Sequence, residues 1–314
     1  MRAPPYRQRG VALLAAVLVV ALVTLLVAGL LDRGLLGQMR ALQHSRAAQA
    51  VALQQGLELW AARILRDDAA RDGVDAAGDA WSHPMPPLPL PEGMAQGRMR
   101  ELDGCLNLNG LWSRGQQADL AVARFERLLR VLELDPRLVD AVLDWLDEDD
   151  QGRAGGGEEA TYAALTPPRR PANGPFVHAS ELALVAGIDA AILQRLAPHV
   201  CAHSDPDSPV NVNTASVAVL MSLHEDIGPG VARRLHQDGR ARHASSTDFL
   251  AAVERELGRP PSPQLALGID VRSRHFLAEI QIVQAQVPVR LYSLLEREAG
   301  TGLVRVTARS QGRW

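Results

Sequence analysis

An uninterrupted apolar segment near the N-terminus constrains this chain more than any other feature of its sequence. Residues 11–31 read VALLAAVLVVALVTLLVAGLL and contain no charged side chain. As a helix that rises about 1.5 Å per residue, the segment matches the ~30 Å hydrocarbon core of a bilayer. Because Arg2, Arg7 and Arg9 precede it, the positive flank predicts a cytoplasmic N-terminus and an exported body.

A cleaved signal peptide is the alternative to a retained membrane anchor. The apolar run is longer than the core of an ordinary signal peptide, and no A-x-A-like site closes it, so we favour the anchor. Gly10 lies directly before Val11, where a peptidase at the cytoplasmic face of the membrane can cut. Apolar residues then continue to recur at intervals near 3.6. This pattern predicts one helix from about Val11 to Leu65, rather than an anchor followed by a separate helix.

The rest of the chain has the composition of a folded protein. Of its 314 residues, 47% are hydrophobic and 22% are charged, values typical of globular domains. The net charge of −3 argues against a broad electrostatic grip on nucleic acid. With 4% aromatic residues, platforms for stacking bases or sugars are scarce.

The hydrophobic period changes twice after the first helix. The proline-rich segment 81–93 predicts an extended connection, and residues 98–111 predict one or two short strands. Alternation then predicts a strand that runs on from Phe276 to Leu295, a turn at 298–302 and a returning strand at Leu303–Ala308. Between these β segments the spacing is helical, with helices predicted at 120–134, 139–146, Glu181–Ala186, Ala190–Leu196, Ala215–Leu223, Gly230–Gln237 and Asp248–Leu257.

The most specific local motif is acidic and begins at Asp147. Numbered from Asp147, oxygen-bearing side chains stand at positions 1, 3 and 5, glycine at position 6 and Glu158 at position 12. This is the register of an EF-hand loop, in which alternate residues turn their oxygens towards one Ca²⁺ ion. Ala154 departs from the apolar residue expected after the glycine, and Gly155–Gly157 adds flexibility. A solvated acidic loop between two helices is the alternative.

A second motif, VNVNTAS at 210–216, is followed by Gly-Pro-Gly at 228–230. Together they resemble helix-hairpin-helix modules, some of which bind DNA phosphates through backbone amides, with Thr214 as a plausible helix cap. The net acidic charge and the anchor favour a structural role instead. Arginines that could support DNA binding are Arg233, Arg234, Arg240 and Arg242.

The two cysteines, Cys105 and Cys201, lack C-x-x-C spacing. Two buried, reduced thiols are one interpretation. Export to an oxidising compartment favours the other, a disulfide that ties the helical region to the sheet.

We find no G-x-S-x-G, H-E-x-x-H or phosphate-binding glycine motif, so the sequence offers no positive sign of an enzyme. His199 and His203 are four residues apart. A zinc site there is conceivable, but ordinary surface histidines are the favoured interpretation.

The N-terminal segment resembles prepilin signals, and the whole chain resembles the K minor pseudopilins of type II secretion systems. The segment DWLDEDDQGRAGGGEEATY is similar to the family's D-W-x-D-x-D followed by G-x-E-[DE]-x-x-Y, and N-V-N-T-A-S occurs in the family without a DNA role. The resemblance implies cleavage after Gly10 and N-methylation of Val11. Prepilins usually carry Glu at the fifth mature position; Ala15 stands there instead, as in K components, whose missing carboxylate is associated with the filament tip.

The resemblance further implies a structural calcium site, for which the matching ligand candidates are Asp147, Asp149, Glu158 and Glu159, with Asp144 and Asn173 as weaker ones. Its implied partners are the I and J minor pseudopilins, with the H and major G pseudopilins as further candidates, and the prepilin peptidase. No nucleic-acid partner is implied.

We therefore predict an α+β protein with a pilin-like N-terminal helix, an antiparallel sheet and a large all-α insertion that is SAM-like or helix-hairpin-helix-like. The predicted function is a non-enzymatic subunit that caps the pseudopilus tip, anchored in the inner membrane with a periplasmic body. The alternatives are a membrane-tethered DNA-binding protein of the competence type and an anchored enzyme with an unrecognised site. The predicted segments are a leader (1–10), a transmembrane helix (11–31), its periplasmic continuation (32–65), a first sheet part (66–112), the helical insertion (113–272) and C-terminal strands (273–314).

Overall fold

The structure is a computed structural model that describes residues 9–90, 93–284 and 287–311. Within these ranges side chains are described except at residues 9–12, 30–36, 42, 46, 284 and 287. The chain divides into two compact units, Met1–Gly56 and Leu57–Trp314. The predicted leader, 1–10, lies almost wholly outside the described residues.

Helix α1 (Arg9–Arg71) supplies all the described residues of the first unit. Its leucine and valine side chains between Leu13 and Val27 are exposed, Leu14 at 73% and Leu25 at 72%. The predicted span, 11–31, begins and ends outside the residues whose side chains are described. Among the described residues, no helix is both long and apolar enough to cross a membrane.

Helix α1 continues six residues beyond its predicted end at Leu65. Residues 66–71 (RDDAAR) contain no helix breaker, so nothing in the sequence stops the helix at that point. Gly73 follows with φ +66°, a left-handed conformation that glycine adopts without steric cost and that commonly follows a helix end.

A five-stranded antiparallel sheet forms one layer of the second unit, with strand order β1-β2-β9-β10-β11. In the β2–β9 pair Met99 lies opposite Ala278, and in the β9–β10 pair Ile280 lies opposite Leu291. In sequence, the whole helical region lies between β2 and β9, although these two strands are neighbours in the sheet. The strands of this sheet are β1 (Leu88–Leu90), β2 (Gly93–Glu101), β9 (His275–Gln284), β10 (Val287–Arg297) and β11 (Val304–Gln311).

The prediction of one strand from Phe276 to Leu295 is wrong. The segments on either side of residues 285–286 form two antiparallel strands, with Gln284 opposite Val287. Residues 285–286 themselves lie outside the described part. A strand of that length would far exceed the usual five or six residues. The sequence QAQVP at this point contains none of the Asn-Gly or Asp-Gly pairs that identify a tight hairpin, which explains the error.

Helices and three small strand pairs fill the region between β2 and β9. The helix predicted at Ala190–Leu196 has those bounds, whereas the segment predicted as a helix at Glu181–Ala186 forms a 3₁₀ helix at Ala179–Leu184. Strands β3 and β6 pair in parallel, as do β7 and β8, and β4 pairs with β5. The elements are β3 (Leu106–Asn107), β4 (Trp112–Ser113), β5 (Gln116–Gln117), α2 (Asp119–Val131), α3 (Leu138–Leu146), α4 (Glu159–Ala163), α5 (Ala190–Leu196), β6 (Val200–Cys201), β7 (Val210–Asn211), α6 (Val217–Leu223), α7 (Pro229–His236), α8 (Ser246–Leu257) and β8 (Ile269–Asp270).

The second unit has two hydrophobic cores. The smaller one lies between the end of α1 and the sheet, and includes Leu65, Trp81, Phe276 and Leu295. The larger one belongs to the helical region, and it also takes in Leu106, Leu108 and Leu111, which the sequence assigned to the first sheet part. The segment that leaves β2 therefore enters the helical core at once. The fold is a mixed one, of helices with an antiparallel sheet.

Candidate functional site

The acidic motif forms the connection between α3 and α4. Asp144 lies in the last turn of α3, and Asp147 directly follows the helix, its N–H donating to the Leu143 carbonyl at 2.9 Å. Both carboxylates are buried, Asp144 at 0% and Asp147 at 1% exposure. Burying ionised carboxylates is costly unless each gains a partner of opposite charge or hydrogen-bond donors, so the surroundings of these two groups define the site.

Arg153 supplies much of that compensation. Its guanidinium Nη1 lies 2.5 Å from Asp144 Oδ1 and 2.5 Å from Asp147 Oδ2, and its backbone N–H donates to Asp144 Oδ2 at 3.0 Å. The arginine side chain remains 24% exposed. Burial nevertheless raises the pKa of Asp147, because the hydrogen bond and charge of Arg153 offset it only in part.

Four buried oxygens of the predicted ligands have no hydrogen-bond partner among the described residues. They are Asp147 Oδ1, both carboxylate oxygens of Glu158 and the amide oxygen of Asn173. Burial, together with the charges of Asp144, Asp147, Asp150 and Asp149, raises the pKa of Glu158 to about 7. An orphaned carboxylate among other acids is the arrangement that a bound cation would relieve.

The glycines after Arg153 allow the loop to pack closely on α3. A Cβ at Gly155 would lie 2.7 Å from the Arg137 carbonyl oxygen, and one at Gly156 would overlap the Asp144 carboxylate. The sequence suggested that these glycines add flexibility. Their contacts give a different reason for them: only glycine lets this backbone approach the buried acid so closely.

The predicted ligands divide into two groups in the structure. Asp144, Asp147, Glu158 and Asn173 turn their oxygens into the protein, although Asp144 and Asn173 ranked lower from the sequence. Asp149 and Glu159 are exposed. Asp149 accepts a hydrogen bond from the Gln151 N–H at 2.8 Å, and Glu159 lies 3.6 Å from Arg170.

The guanidinium of Arg153 is the part of the site that sequence reasoning missed, since the EF-hand register assigns this residue only a carbonyl ligand.

The donor set fits calcium. Carboxylate and amide oxygens are hard ligands, and calcium accepts six to eight of them in a flexible arrangement. Asp147, Glu158 and Asn173 offer four such oxygens. Gly152 lies close to both Glu158 and Asp144, since a Cβ there would meet Glu158 Cγ at 3.6 Å and Asp144 Oδ2 at 3.8 Å. The Arg153 side chain that pairs with Asp144 and Asp147 reaches solvent.

Cys105 and Cys201 form a disulfide, with their Cα atoms 5.9 Å apart. Cys105 lies in the connection between β2 and β3, and Cys201 ends β6. The bond therefore joins the segment that leaves the sheet to a strand of the helical region.

The VNVNTAS motif is used inside the protein. The amide of Asn211 donates to the Asp75 carbonyl at 3.1 Å and to Ser273 Oγ at 2.7 Å. Asn213 exchanges two hydrogen bonds with the backbone of His243. Ser216, rather than the predicted Thr214, caps the following helix by accepting from the Val219 N–H. These buried asparagine side chains tie the motif to the segments that carry Asp75, His243 and Ser273. They are therefore not available to bind phosphate.

Comparison with known proteins places this chain close to one family. Two family models, both described as "Type II secretion system (T2SS), protein K", match residues 104–205 and 210–268. A type II secretion system protein K from Pseudomonas aeruginosa is 34% identical over 97% of this chain and 93% of its own length. The Klebsiella pneumoniae protein of that name is 30% identical over 94% of each chain. None of these similarities supports a DNA-binding protein.

A solved structure extends the similarity to the fold. One chain of the crystal structure of the GspK–GspI–GspJ complex from the enterotoxigenic Escherichia coli type 2 secretion system matches with a TM-score of 0.76 and 24% identity. The match covers 88% of this chain and 100% of that chain.

Proposed function

We propose that this chain, which belongs to the type II secretion system protein K family, is the minor pseudopilin that caps the tip of the secretion pseudopilus. In this role it is a structural subunit without catalytic activity, and it supports the export of folded proteins across the outer membrane. The observation that carries the proposal is the similarity to protein K relatives over nearly the whole chain, sheet and helical region alike.

Two features support the tip position. Ala15 leaves the membrane part of α1 without the carboxylate that, in other prepilin-like subunits, would meet the N-terminal amine of a neighbour. A buried acid in a bilayer is costly without such a partner, and a subunit with nothing stacked above it has no use for one. The helical region, inserted between two adjacent strands of a pilin-like sheet, is bulky enough to obstruct a further subunit above it.

The N-terminal segment supports an inner-membrane location. The 21 uncharged residues of 11–31 suffice to span a bilayer, and the described leucines and valines of this stretch present their side chains outwards. We propose that prepilin peptidase cuts after Gly10, that Val11 becomes methylated, and that the body lies in the periplasm, where the Cys105–Cys201 disulfide is chemically favoured.

The proposal of a tip subunit predicts a stable complex with the I and J pseudopilins. The full chain, tagged at its C-terminus and extracted from membranes in mild detergent, should retain both partners through size-exclusion chromatography. The control is the same preparation from cells that lack the J protein. If I and J stay together while this chain elutes alone, the tip assignment is wrong.

We further propose that the loop between α3 and α4 binds calcium through Asp147, Glu158 and Asn173, with Asp144 released from Arg153 as an additional ligand. When bound, the ion neutralises clustered carboxylates and fixes the loop. The protein residues contribute a preformed pocket, because α3 holds Asp144 and Asp147 at its end and the glycines bring the returning chain against them.

Calcium is therefore expected to stabilise the protein. At a concentration of about 100 times its dissociation constant, the ion should add about 2.7 kcal/mol to the free energy of unfolding. The Glu158→Gln variant should lose most of this gain, because it removes a buried carboxylate whose oxygens have no partner in the described part of the chain. The measurement is the thermal unfolding midpoint in excess chelator and in excess calcium.

The matched control is Glu148→Gln, the same chemical change on an exposed acid next to Asp147. It should keep the calcium response of the unaltered protein. In chelator, Glu158→Gln should be no less stable than the unaltered protein, since it relieves repulsion among buried acids. If Glu158→Gln is stabilised by calcium as much as Glu148→Gln is, the proposed ligands are wrong.

A further inference from the structure

A second group of ionisable side chains, far from the acidic loop in sequence, is also buried. Asp103 is 2% exposed, and His203 and His275 are each 5% exposed. Asp103 follows β2, His203 follows β6 and His275 begins β9, so the sheet and the helical region meet at this group. The sequence favoured a surface position for His203, and the structure shows that this is wrong, because the side chain is buried.

Both imidazoles point at the same carboxylate oxygen. His275 Nδ1 lies 2.7 Å and His203 Nε2 lies 3.1 Å from Asp103 Oδ1. The two rings stack with centroids 3.9 Å apart, and the three ligand-type atoms all lie within 4.8 Å of one another. The Leu102 carbonyl oxygen is also 2.8 Å from His203 Nε2, which brings four donor atoms together in a protected space.

The carboxylate is oriented by its other oxygen. Asp103 Oδ2 accepts hydrogen bonds from the backbone N–H groups of Arg274 and His275. Oδ1 is therefore held towards the two rings. Backbone donors that fix a ligand in this way are typical of the outer shell of metal sites.

Covalent and sheet geometry hold the three segments in place. Asp103 and His203 each lie two residues from a half-cystine of the Cys105–Cys201 disulfide. The third residue, His275, is fixed by strand pairing, since Glu101 lies opposite Phe276. Such preorganisation reduces the conformational entropy that ligand binding would otherwise cost.

We infer that Asp103, His203 and His275 form a binding site for a divalent transition metal of the zinc class, with the Leu102 carbonyl oxygen as a fourth donor. Two imidazoles and a carboxylate suit zinc and its neighbours rather than calcium or magnesium, which prefer oxygen ligands. Each neutral imidazole binds the ion through the nitrogen that faces Asp103 and carries its proton on the other nitrogen.

The movement that an ion requires is small. Tetrahedral zinc with bonds of about 2.0–2.1 Å separates its ligand atoms by about 3.3 Å. The hydrogen-bonded atoms here, 2.7–3.1 Å apart, must spread by a few tenths of an ångström, and the stacked rings must rotate. Because the site is buried, metal enters during folding or local opening, so exchange is slow.

The test is metal binding by the full chain in detergent, with calcium in excess to saturate the acidic loop. After removal of transition metals and long incubation with Zn²⁺, we expect one zinc per chain. Competition against a chromophoric chelator measures the zinc affinity. We expect it to be about 100-fold lower in His203→Gln and His275→Gln, because loss of a residue that only supports a metal ligand already lowers affinity by about 10- to 100-fold. Zinc should raise the unfolding midpoint of the unaltered protein but not of these variants.

Two variants serve as controls. His199→Gln removes the other histidine of the i, i+4 pair, and Glu158→Gln disables the acidic loop; both should keep the zinc affinity. Co²⁺ absorption and imidazole ¹⁵N shifts of the unaltered protein report on the site without any substitution. Less than one zinc per chain in the unaltered protein, unshifted imidazole nitrogens, or unchanged affinity in both histidine variants would overturn the inference and leave a hydrogen-bonded cluster only.

Discussion

Removal of the disulfide, by Cys105→Ser together with Cys201→Ser, is expected to lower the free energy of unfolding by about 4–5 kcal/mol. The two cysteines are 96 residues apart, and in the chain-entropy model a bridge that closes so long a loop stabilises by nearly the largest amount known for one bond. The measurement is urea unfolding of the full chain in detergent with calcium present, followed by tryptophan fluorescence.

A reducing agent provides the matched control. It should destabilise the unaltered protein by a similar amount and leave the double serine variant unchanged, because the variant has no bond to break. A loss below about 1 kcal/mol in both experiments would mean that strain or residual structure in the unfolded chain cancels the entropic gain.

Loss of the disulfide should affect the two inferred metal sites differently. The disulfide joins two segments that carry ligands of the inferred zinc site. Asp103 lies in the segment that leaves the sheet, and His203 follows β6 of the helical region. Its loss should therefore weaken zinc binding in the inferred site but leave the calcium response of Glu158 intact, since the acidic loop is held by α3 and its glycines instead.

Sequence patterns identified those elements whose signals are local. Helix α5 has its predicted bounds because apolar spacing and the Asp189 cap, whose carboxylate accepts from the Ile192 N–H at 2.8 Å, agree about where it begins. The pairing of β9 with β10 was not predicted because QAQVP carries no Asn-Gly or Asp-Gly pair. The segment at Ala179–Leu184 forms a 3₁₀ helix, which its apolar spacing does not distinguish from an α-helix.

For the acidic loop, spacing alone brought Asp147 and Glu158 into one register. It could not reveal that Arg153 neutralises Asp144 and Asp147, since side-chain direction after a glycine depends on the packed backbone. The cluster of Asp103, His203 and His275 was beyond any spacing argument. Its members are about 70 to 170 residues apart, and only strand pairing and the disulfide bring them together.

The other large effect is expected from the buried ion pair between Arg297 and Asp75. Asp75 is fully buried and Arg297 is 6% exposed. The guanidinium donates to Asp75 Oδ2 and to the carbonyl oxygens of Leu65 and Ser273, at 3.2 and 2.6 Å for the two carbonyls. Arg297 thus links the end of α1, the segment after it and the sheet.

The Arg297→Met variant should lose about 3–5 kcal/mol of unfolding free energy, because it leaves a buried carboxylate without its counter-charge. Adding Asp75→Asn should recover part of the loss, so that the double variant is less destabilised than the sum of the single ones. Arg305→Met is the matched control: its partner Glu296 is paired at the surface, and exposed pairs contribute less than about 1 kcal/mol.

The pH dependence gives this prediction an independent test. Burial already raises the pKa of Asp75, with the charge of Arg297 acting against that rise. Without Arg297 the folded protein holds the proton more tightly than the unfolded chain does, whose Asp pKa is about 3.9. Stability must then fall as pH increases above about 4, so the deficit of Arg297→Met should be larger at pH 8 than at pH 5. The Arg297 guanidinium also lies over the Phe276 ring, 5.1 Å from its centroid. A deficit that does not change with pH would mean that loss of this contact, rather than an unpaired charge at Asp75, destabilises the variant.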